Sequence, residues 1–260
     1  MKQEIIRLWS ACNQRCLFCN QEEEFDKKKK KDILYELLSF KRKWVDRLVI
    51  SGWEPTIFRE ELFFCIKTWK SLWFKDIELQ SNAVLLSDYN YVKRLYNLWL
   101  TSSMISLHSF KPESSDYLTQ ANWTFDKTLI WIKNLISIWV KTSLNIVINK
   151  YNYNTILEYL EFIHKKIFWF DSISLSIVVP WRLTVESDLL PNYNILSPFL
   201  IKAYNYCIEN NIEFQNPWCW IPVCFVKDYY KYSLEYQNLI WNNKNDEFIL
   251  DLSLIHIWRC

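Results

Sequence analysis

Short apolar, β-branched runs alternate with longer stretches of helical period along most of this chain. Ile5–Leu8 reads as a first strand, and Asp32–Arg42 as a helix with Ile33, Leu34, Leu37 and Leu38 on one face. A second strand is expected over Arg47–Ile50, a helix over Glu60–Lys70, and a third strand over Asp76–Gln80. Asp88 is placed to cap a helix reaching about Leu98. Met104–His108, Lys141–Ile148 and Ser172–Val179 complete six strands, separated by helices at Phe125–Ile138 and Thr155–Lys166 and followed by Pro198–Asn210. Strands alternating with helices of this length predict an α/β protein, its strands parallel and joined by right-handed crossovers.

Composition adds an anomaly: 260 residues contain 1 Gly and 15 Trp. Trp44, Trp73, Trp99, Trp139 and Trp169 each lie between a helical pattern and the next strand-like run. That is where a helix commonly ends on a left-handed residue, usually glycine. The distribution predicts that most of these tryptophans stand where the organism has glycine, as when a UGA codon read as glycine is translated as Trp. Restoring every one would bring glycine to about 6%, near the usual value of ~7%. Residues 252–260, ending in Cys260, look like translated sequencing adapter and carry no weight here.

A net charge of +2 gives no whole-protein field toward nucleic acid. Lys27–Lys31, after Glu22-Glu23-Glu24, reads as a solvated loop entering a helix. The N-terminus lacks the apolar core of a signal peptide and no run is long enough to span a bilayer, so a cytoplasmic protein without membrane contact is expected. In that reducing compartment, 8 Cys point to metal binding or free thiols rather than disulfides.

Three of those cysteines lie together in Cys12-Asn13-Gln14-Arg15-Cys16-Leu17-Phe18-Cys19, just after the first strand. Such spacing lets one loop turn three sulfurs toward one centre. A structural zinc site takes four protein ligands, whereas a reactive centre keeps a position open; iron–sulfur clusters are also held by closely spaced thiolates. The stretch resembles the C-x3-C-x-aromatic-C loop of radical S-adenosylmethionine (radical SAM) enzymes, and Ser51-Gly52-Trp53-Glu54-Pro55-Thr56 resembles their Gly-Gly-Glu segment, with Trp at the second Gly. Ser81-Asn82-Ala83 is a near match to the Thr-Asn-Gly often found after their third strand.

The resemblance implies a partial (β/α)6 barrel of the TIM type, with chemistry at the C-terminal strand ends. The expected radical SAM core covers residues 1–205, followed by a C-terminal extension at 206–251 carrying Cys207, Cys219 and Cys224, a possible auxiliary metal site or simply structural thiols. Cys12, Cys16 and Cys19 would hold a [4Fe–4S] cluster whose fourth iron takes the amino and carboxylate groups of S-adenosyl-L-methionine (SAM). Phe18 would lie against the adenine, and Gly52, Trp53 and Glu54 would receive the SAM amino group. Ser106 and Asn149, small polar residues near strand ends, are candidate ribose or carboxylate partners, and Val178–Pro180 a candidate adenine edge. His108 is a candidate to reach substrate, with a structural histidine as the alternative. The implied reaction is reductive cleavage of SAM to a 5′-deoxyadenosyl radical, followed by hydrogen abstraction from a small-molecule or peptide substrate. A flavodoxin or ferredoxin would supply the electron. The rival reading is a non-catalytic zinc or iron–sulfur module, which has no use for the Gly52–Glu54 segment.

Overall fold

A computed structural model describes residues 2–19, 25–180, 182–215 and 225–232. Its strands are β1 (Gln3–Arg7), β2 (Arg47–Ser51), β3 (Asp76–Ser81), β4 (Ser102–Ser106), β5 (Lys141–Ile148), β6 (Ser172–Ile177) and β7 (Phe214–Gln215), and their order in the sheet is their order in sequence. The helices are α1 (Lys30–Arg42), α2 (Arg59–Ser71), α3 (Tyr89–Asn97), α4 (Pro112–Thr119), α5 (Phe125–Ser137), α6 (Ile156–Lys166), α7 (Arg182–Glu186) and α8 (Tyr193–Glu209). Right-handed crossovers between strands that never reverse their order place successive helices on one face of the sheet. This is the logic of a barrel rather than of a doubly wound sheet, where the order reverses.

The chain divides into two compact units. The first comprises residues 1–107, 111–144 and 169–171. Here β1, β2, β3 and β4 pair in parallel, with Ile5 opposite Val49, Val49 opposite Glu78, and Leu79 opposite Ser103. The apolar stripes on the helices do the covering: Ile33, Leu37 and Phe40 of α1, Leu62, Ile66 and Trp69 of α2, and Trp131, Ile132 and Leu135 of α5 are buried. Fully burying one such side chain stabilises the fold by roughly 1.5–3 kcal/mol.

The second unit holds residues 108–110, 145–168 and the described residues from 172 onward. There β6 pairs in parallel with β7, Ile173 opposite Phe214. Phe214 stacks with both Tyr204 and Tyr232, at ring-centroid distances of 5.2 and 4.4 Å. β5, which runs through both units, alternates strictly, with Thr142, Leu144, Ile146 and Ile148 buried and Ser143, Asn145 and Val147 half-buried.

Several boundaries differ from those read in the sequence. β4 runs from Ser102 to Ser106, two residues earlier than expected, because Ser102 and Ser103 pair with Glu78 and Leu79 despite their weak strand preference. α8 begins at Tyr193, five residues before Pro198, since Asn192 Oδ1 accepts from the Asn194 N–H at 3.0 Å and caps the helix there. The helix accommodates Pro198 in its interior. α4, α7 and β7 were not anticipated. A boundary at residue 205 falls inside α8, whose Cys207 is fully buried and whose chain continues into β7. Cys207 therefore packs as a core residue, its thiol pushed up to about 12 by burial. Cys219 and Cys224 lie outside the described residues.

The tryptophans sort into two kinds. Trp44, Trp73, Trp99, Trp123, Trp139 and Trp169 all adopt positive φ, between 57° and 90°. The first, second and fifth of these are 86%, 90% and 86% exposed. At α1, α3 and α5 the hydrogen bonds form the Schellman pattern: Trp44, Trp99 and Trp139 donate to Lys41, Tyr96 and Ile136, while Val45, Leu100 and Val140 donate to Phe40, Leu95 and Leu135. Asn211 plays the same part after α8 (φ 53°), asparagine being tolerant of that conformation. Trp69 and Trp131 are the opposite case. Both sit inside helices, fully buried, and Trp69 stacks on Phe74 with its Nε1–H donating to the Asp76 carbonyl at 3.1 Å. Restoring glycine at every Trp therefore overcorrects: Trp69 fits as tryptophan, and Trp131 fills a core site although its Nε1 has no hydrogen-bond partner among the described residues.

Candidate functional site

Cys12, Cys16, Cys19, Phe18, Gly52, Trp53, Glu54 and Ser106 belong to the first unit, His108 and Asn149 to the second. In the first, the parallel register of β1, β2 and β3 brings three strand ends side by side. The chain leaving β1 is tied to the turn after β2: Leu8 N–H donates to Ser51 O (3.4 Å), and Glu54 N–H to Ala11 O (3.0 Å). Gly52 sits in this turn at φ 129°, and a Cβ there would come within 3.1 Å of the Trp9 carbonyl oxygen. The chain's single glycine thus occupies a position where any side chain would be strained. Its neighbour Trp53 is half-buried, with an indole Nε1 that has no hydrogen-bond partner among the described residues.

The cysteine loop is held on its other side by α4. Arg15 and Leu17 N–H groups donate to the carbonyls of Thr119 and Leu118, each at 3.0 Å. These belong to the last turn of α4, where helix carbonyls lack intrahelical partners. A helix invisible in the periodicity thus fixes the loop that carries the three thiols. Within the loop, Cys19 N–H donates to Cys16 O (3.0 Å) and Gln14 N–H to Cys12 Sγ (3.4 Å). Phe18 is half-buried beside Cys19.

Burial pushes the Cys12 thiol up to about 11, and nearby Glu54 and Cys19 add to the shift. Cys16 is pushed higher still by burial, reinforced by Cys12 and Cys19. The three sulfurs thus lie near enough to oppose one another's ionisation. Burial therefore disfavours the Cys12 and Cys16 thiolates, and metal coordination would supply the compensating charge. Among the described residues no three His, Cys, Asp or Glu side chains converge tightly enough for one metal ion. A multi-iron cluster asks for something looser, because each thiolate binds a different iron. Three cysteines on one fixed loop are a donor set that fits such a cluster.

Glu54 is fully buried behind this loop. Its Oε1 accepts from Thr56 N–H (3.0 Å), Thr56 Oγ1–H (2.5 Å) and Ser81 Oγ–H (2.8 Å), and its Oε2 from Asn82 N–H (2.8 Å). Burial pushes the carboxyl above the ordinary carboxylate range, and these four donors oppose the shift. The side chain therefore ties the β2 turn to the end of β3 rather than standing open to a ligand. Asn82, left without a role in the sequence reading, proves central. Its Nδ2 lies 3.6 Å from Cys12 Sγ and 2.7 Å from Asn13 Oδ1. The available signal was its place in Ser81-Asn82-Ala83, directly after a strand. Ala83 takes the left-handed conformation (φ 65°) in that turn. Ser106, the last residue of β4, is half-buried.

In the second unit, His108 is buried and its Nδ1 accepts the Val147 N–H at 3.1 Å. Burial holds the imidazole down at about 3. Its Nδ1 is committed to the β5 backbone, as the structural alternative expects. Asn149 is likewise fully buried, with Nδ2 donating to Val147 O (3.0 Å) and Oδ1 accepting from Tyr151 N–H (2.9 Å). Those bonds shape the turn after β5 and leave its amide committed there.

The radical SAM superfamily family model matches residues 6–163, more than half of the chain. The chain belongs to the radical SAM superfamily. Among sequence relatives, the probable GTP 3′,8-cyclase of Saccharolobus islandicus (strain M.14.25 / Kamchatka #1) is 31% identical over 160 residues, 60% of this chain and 51% of its own length. The GTP 3′,8-cyclase of Nautilia profundicola is 27% identical over 169 residues, 62% of this chain and 52% of its own. The chain thus spans about half the length of the curated relatives it matches. Streptococcus suis SuiB bound to its precursor peptide SuiA superposes with a TM-score of 0.70 at 19% identity, covering 86% of this chain and 51% of SuiB. At that identity the likeness establishes the fold, a partial barrel of the radical SAM type. The cofactors of the superfamily are a [4Fe–4S] cluster and SAM, and SuiB has also been solved with SAM bound. No helix among the described residues is long and apolar enough to cross a membrane.

Proposed function

We propose that this radical SAM protein is an enzyme in which Cys12, Cys16 and Cys19 hold a [4Fe–4S] cluster and the adjacent turns bind SAM. The observation that carries the reading is the loop itself: three half-buried thiols within eight residues, on a segment fixed to the β2 turn on one side and to α4 on the other. When bound, the reduced cluster supplies one electron to SAM, giving methionine and a 5′-deoxyadenosyl radical that takes hydrogen from substrate. The protein's own contribution is placement. Cys12, Cys16 and Cys19 would hold the cluster, and the backbone at Gly52 and 53, held by Glu54, would receive the SAM amino group. Phe18 covers the adenine and Ser106 faces the ribose or carboxylate.

The electron comes from a flavodoxin or ferredoxin, and the substrate is a small molecule of cofactor biosynthesis or a peptide. The first is supported by sequence relatives named as GTP 3′,8-cyclases, the second by the fold shared with a peptide-bound neighbour. Anaerobic reconstitution with iron and sulfide, then addition of dithionite and SAM, tests the enzyme reading. Formation of 5′-deoxyadenosine with a four-iron chromophore is expected. Bound zinc and no SAM cleavage would establish the non-catalytic module instead.

A further inference from the structure

We infer that Asn82 is a positioning residue that donates an N–H···S hydrogen bond to Cys12 and thereby raises the reduction potential of the cluster. The inference rests on the proposed cluster at Cys12, Cys16 and Cys19, but its geometry is independent of that reading. Asn82 is held on every side. Its backbone N–H donates to Glu54 Oε2 (2.8 Å), its carbonyl accepts from Thr128 Oγ1–H (3.0 Å), and its Oδ1 accepts from Val84 N–H (3.1 Å). This last bond fixes the orientation of the amide. Oxygen must face Val84, so the NH2 group must face the cysteine loop. One of its hydrogens is directed to Asn13 Oδ1 at 2.7 Å, leaving the other for Cys12 Sγ at 3.6 Å. With only 8% exposure, the amide has little water to turn to instead.

Cys12 Sγ thus receives two donors, the Asn82 amide and the Gln14 N–H at 3.4 Å. Cys12 and Cys16 each also have an amide oxygen beside the thiol, Asn13 Oδ1 at 3.8 Å from Cys12 Sγ and Gln14 Oε1 at 3.6 Å from Cys16 Sγ, but the side-chain N–H donor is directed at Cys12. Adding one electron to a cluster increases negative charge on its thiolates. Donors to a ligand sulfur therefore favour the reduced state, a recognised control of iron–sulfur potentials. Glu54 contributes at one remove by holding the Asn82 backbone, so the motif after β2 and the turn after β3 act together on the first cysteine.

EPR-monitored redox titration of the anaerobically reconstituted protein tests this with Asn82→Ala and Asn82→Asp. Asn82→Ala should retain iron content and circular dichroism while shifting the one-electron equilibrium about tenfold toward the oxidised state, ~59 mV lower. Asn82→Asp keeps an acceptor for Val84 N–H but replaces the donor by a negative oxygen, so its potential should fall further. If both variants carry a normal cluster at the unchanged potential, this inference fails and the cofactor reading stands. Loss of the cluster in both, with the fold intact, would replace tuning by a purely structural role. Absence of any iron–sulfur signal in the unchanged protein would overturn the cofactor reading and this inference together.

Discussion

Replacing Trp44, Trp73 and Trp139 by glycine should stabilise this protein, although each change deletes a large side chain. All three have positive φ (57°, 65° and 63°) and are at least 86% exposed, so little packing is lost. The left-handed conformation costs an L-residue roughly 1–2 kcal/mol. Glycine removes that cost but returns about 0.4–1 kcal/mol through the greater freedom of the unfolded chain. The net gain is roughly 0.5–1 kcal/mol per site, and well-separated sites add. The triple variant should therefore gain roughly 1.5–3 kcal/mol, a large share of a typical stability of 5–15 kcal/mol. Trp99 should gain less, because Lys70 Nζ stands 4.5 Å from its ring centroid and that contact contributes about 0.5–1 kcal/mol. Trp69→Gly and Trp131→Gly provide the contrast: emptying those buried sites should cost at least the ~3–5 kcal/mol typical of Trp→Ala in a core. Urea denaturation followed by circular dichroism, with unchanged m-value, gives the comparison. Equal destabilisation in both groups would refute the division of tryptophans into misplaced and native.

Single Cys12→Ala, Cys16→Ala and Cys19→Ala variants should each lose the four-iron chromophore and SAM cleavage, read by iron analysis and 5′-deoxyadenosine formation. Glu54→Gln should destabilise the fold by about 1–3 kcal/mol, because its new NH2 group must face a buried donor among Thr56, Ser81 and Asn82; thermal denaturation measures it. His108 should make stability depend on acid. Its folded pKa, about 3, lies below the ordinary 6.5, so its contribution is complete above pH 6.5 and is lost as pH falls toward 3. By pH 4 the loss should reach about 3 kcal/mol, at ~1.36 kcal/mol per unit. His108→Asn, which retains an acceptor for Val147 N–H, should flatten urea midpoints measured from pH 4 to 7.

Much of the fold was legible because the apolar code is local. Strands β2, β3, β5 and β6 carry buried Ile, Leu and Val, and each helix between them shows its own stripe. α4 was not legible, since Pro112–Thr119 is short and largely polar and its value lies in carbonyls offered to Arg15 and Leu17. β7 was missed because two residues carry no period; they are strand only through pairing with β6. At the site, the thiols and the Gly52–Glu54 turn stood out as residue types at a spacing. The burial of Glu54, His108 and Asn149 did not, because a strand end marks where a side chain starts and not what it meets. Asn82 became meaningful only once its five partners were in place.

The anomalous tryptophans fall at two different ends of the β/α units, and that separates their effects. Trp44, Trp73, Trp99 and Trp139 follow helices and precede strands, at the end of the barrel associated with stability. Trp53 instead follows β2, in the turn whose backbone would receive the SAM amino group, and its buried Nε1 lacks a partner among the described residues. Leaving such a polar atom unsatisfied costs about 1–3 kcal/mol. Trp53→Gly should remove that cost and, by clearing an indole from the turn proposed to receive the SAM amino group, also tighten SAM binding in the reconstituted protein, whereas Trp44→Gly, at the other end of its β/α unit, should raise stability and leave SAM affinity unchanged. Isothermal titration of SAM into both variants, paired with their denaturation curves, reads the two effects separately. If Trp53→Gly alters stability alone and SAM binds as before, the turn after β2 does not contact the cofactor.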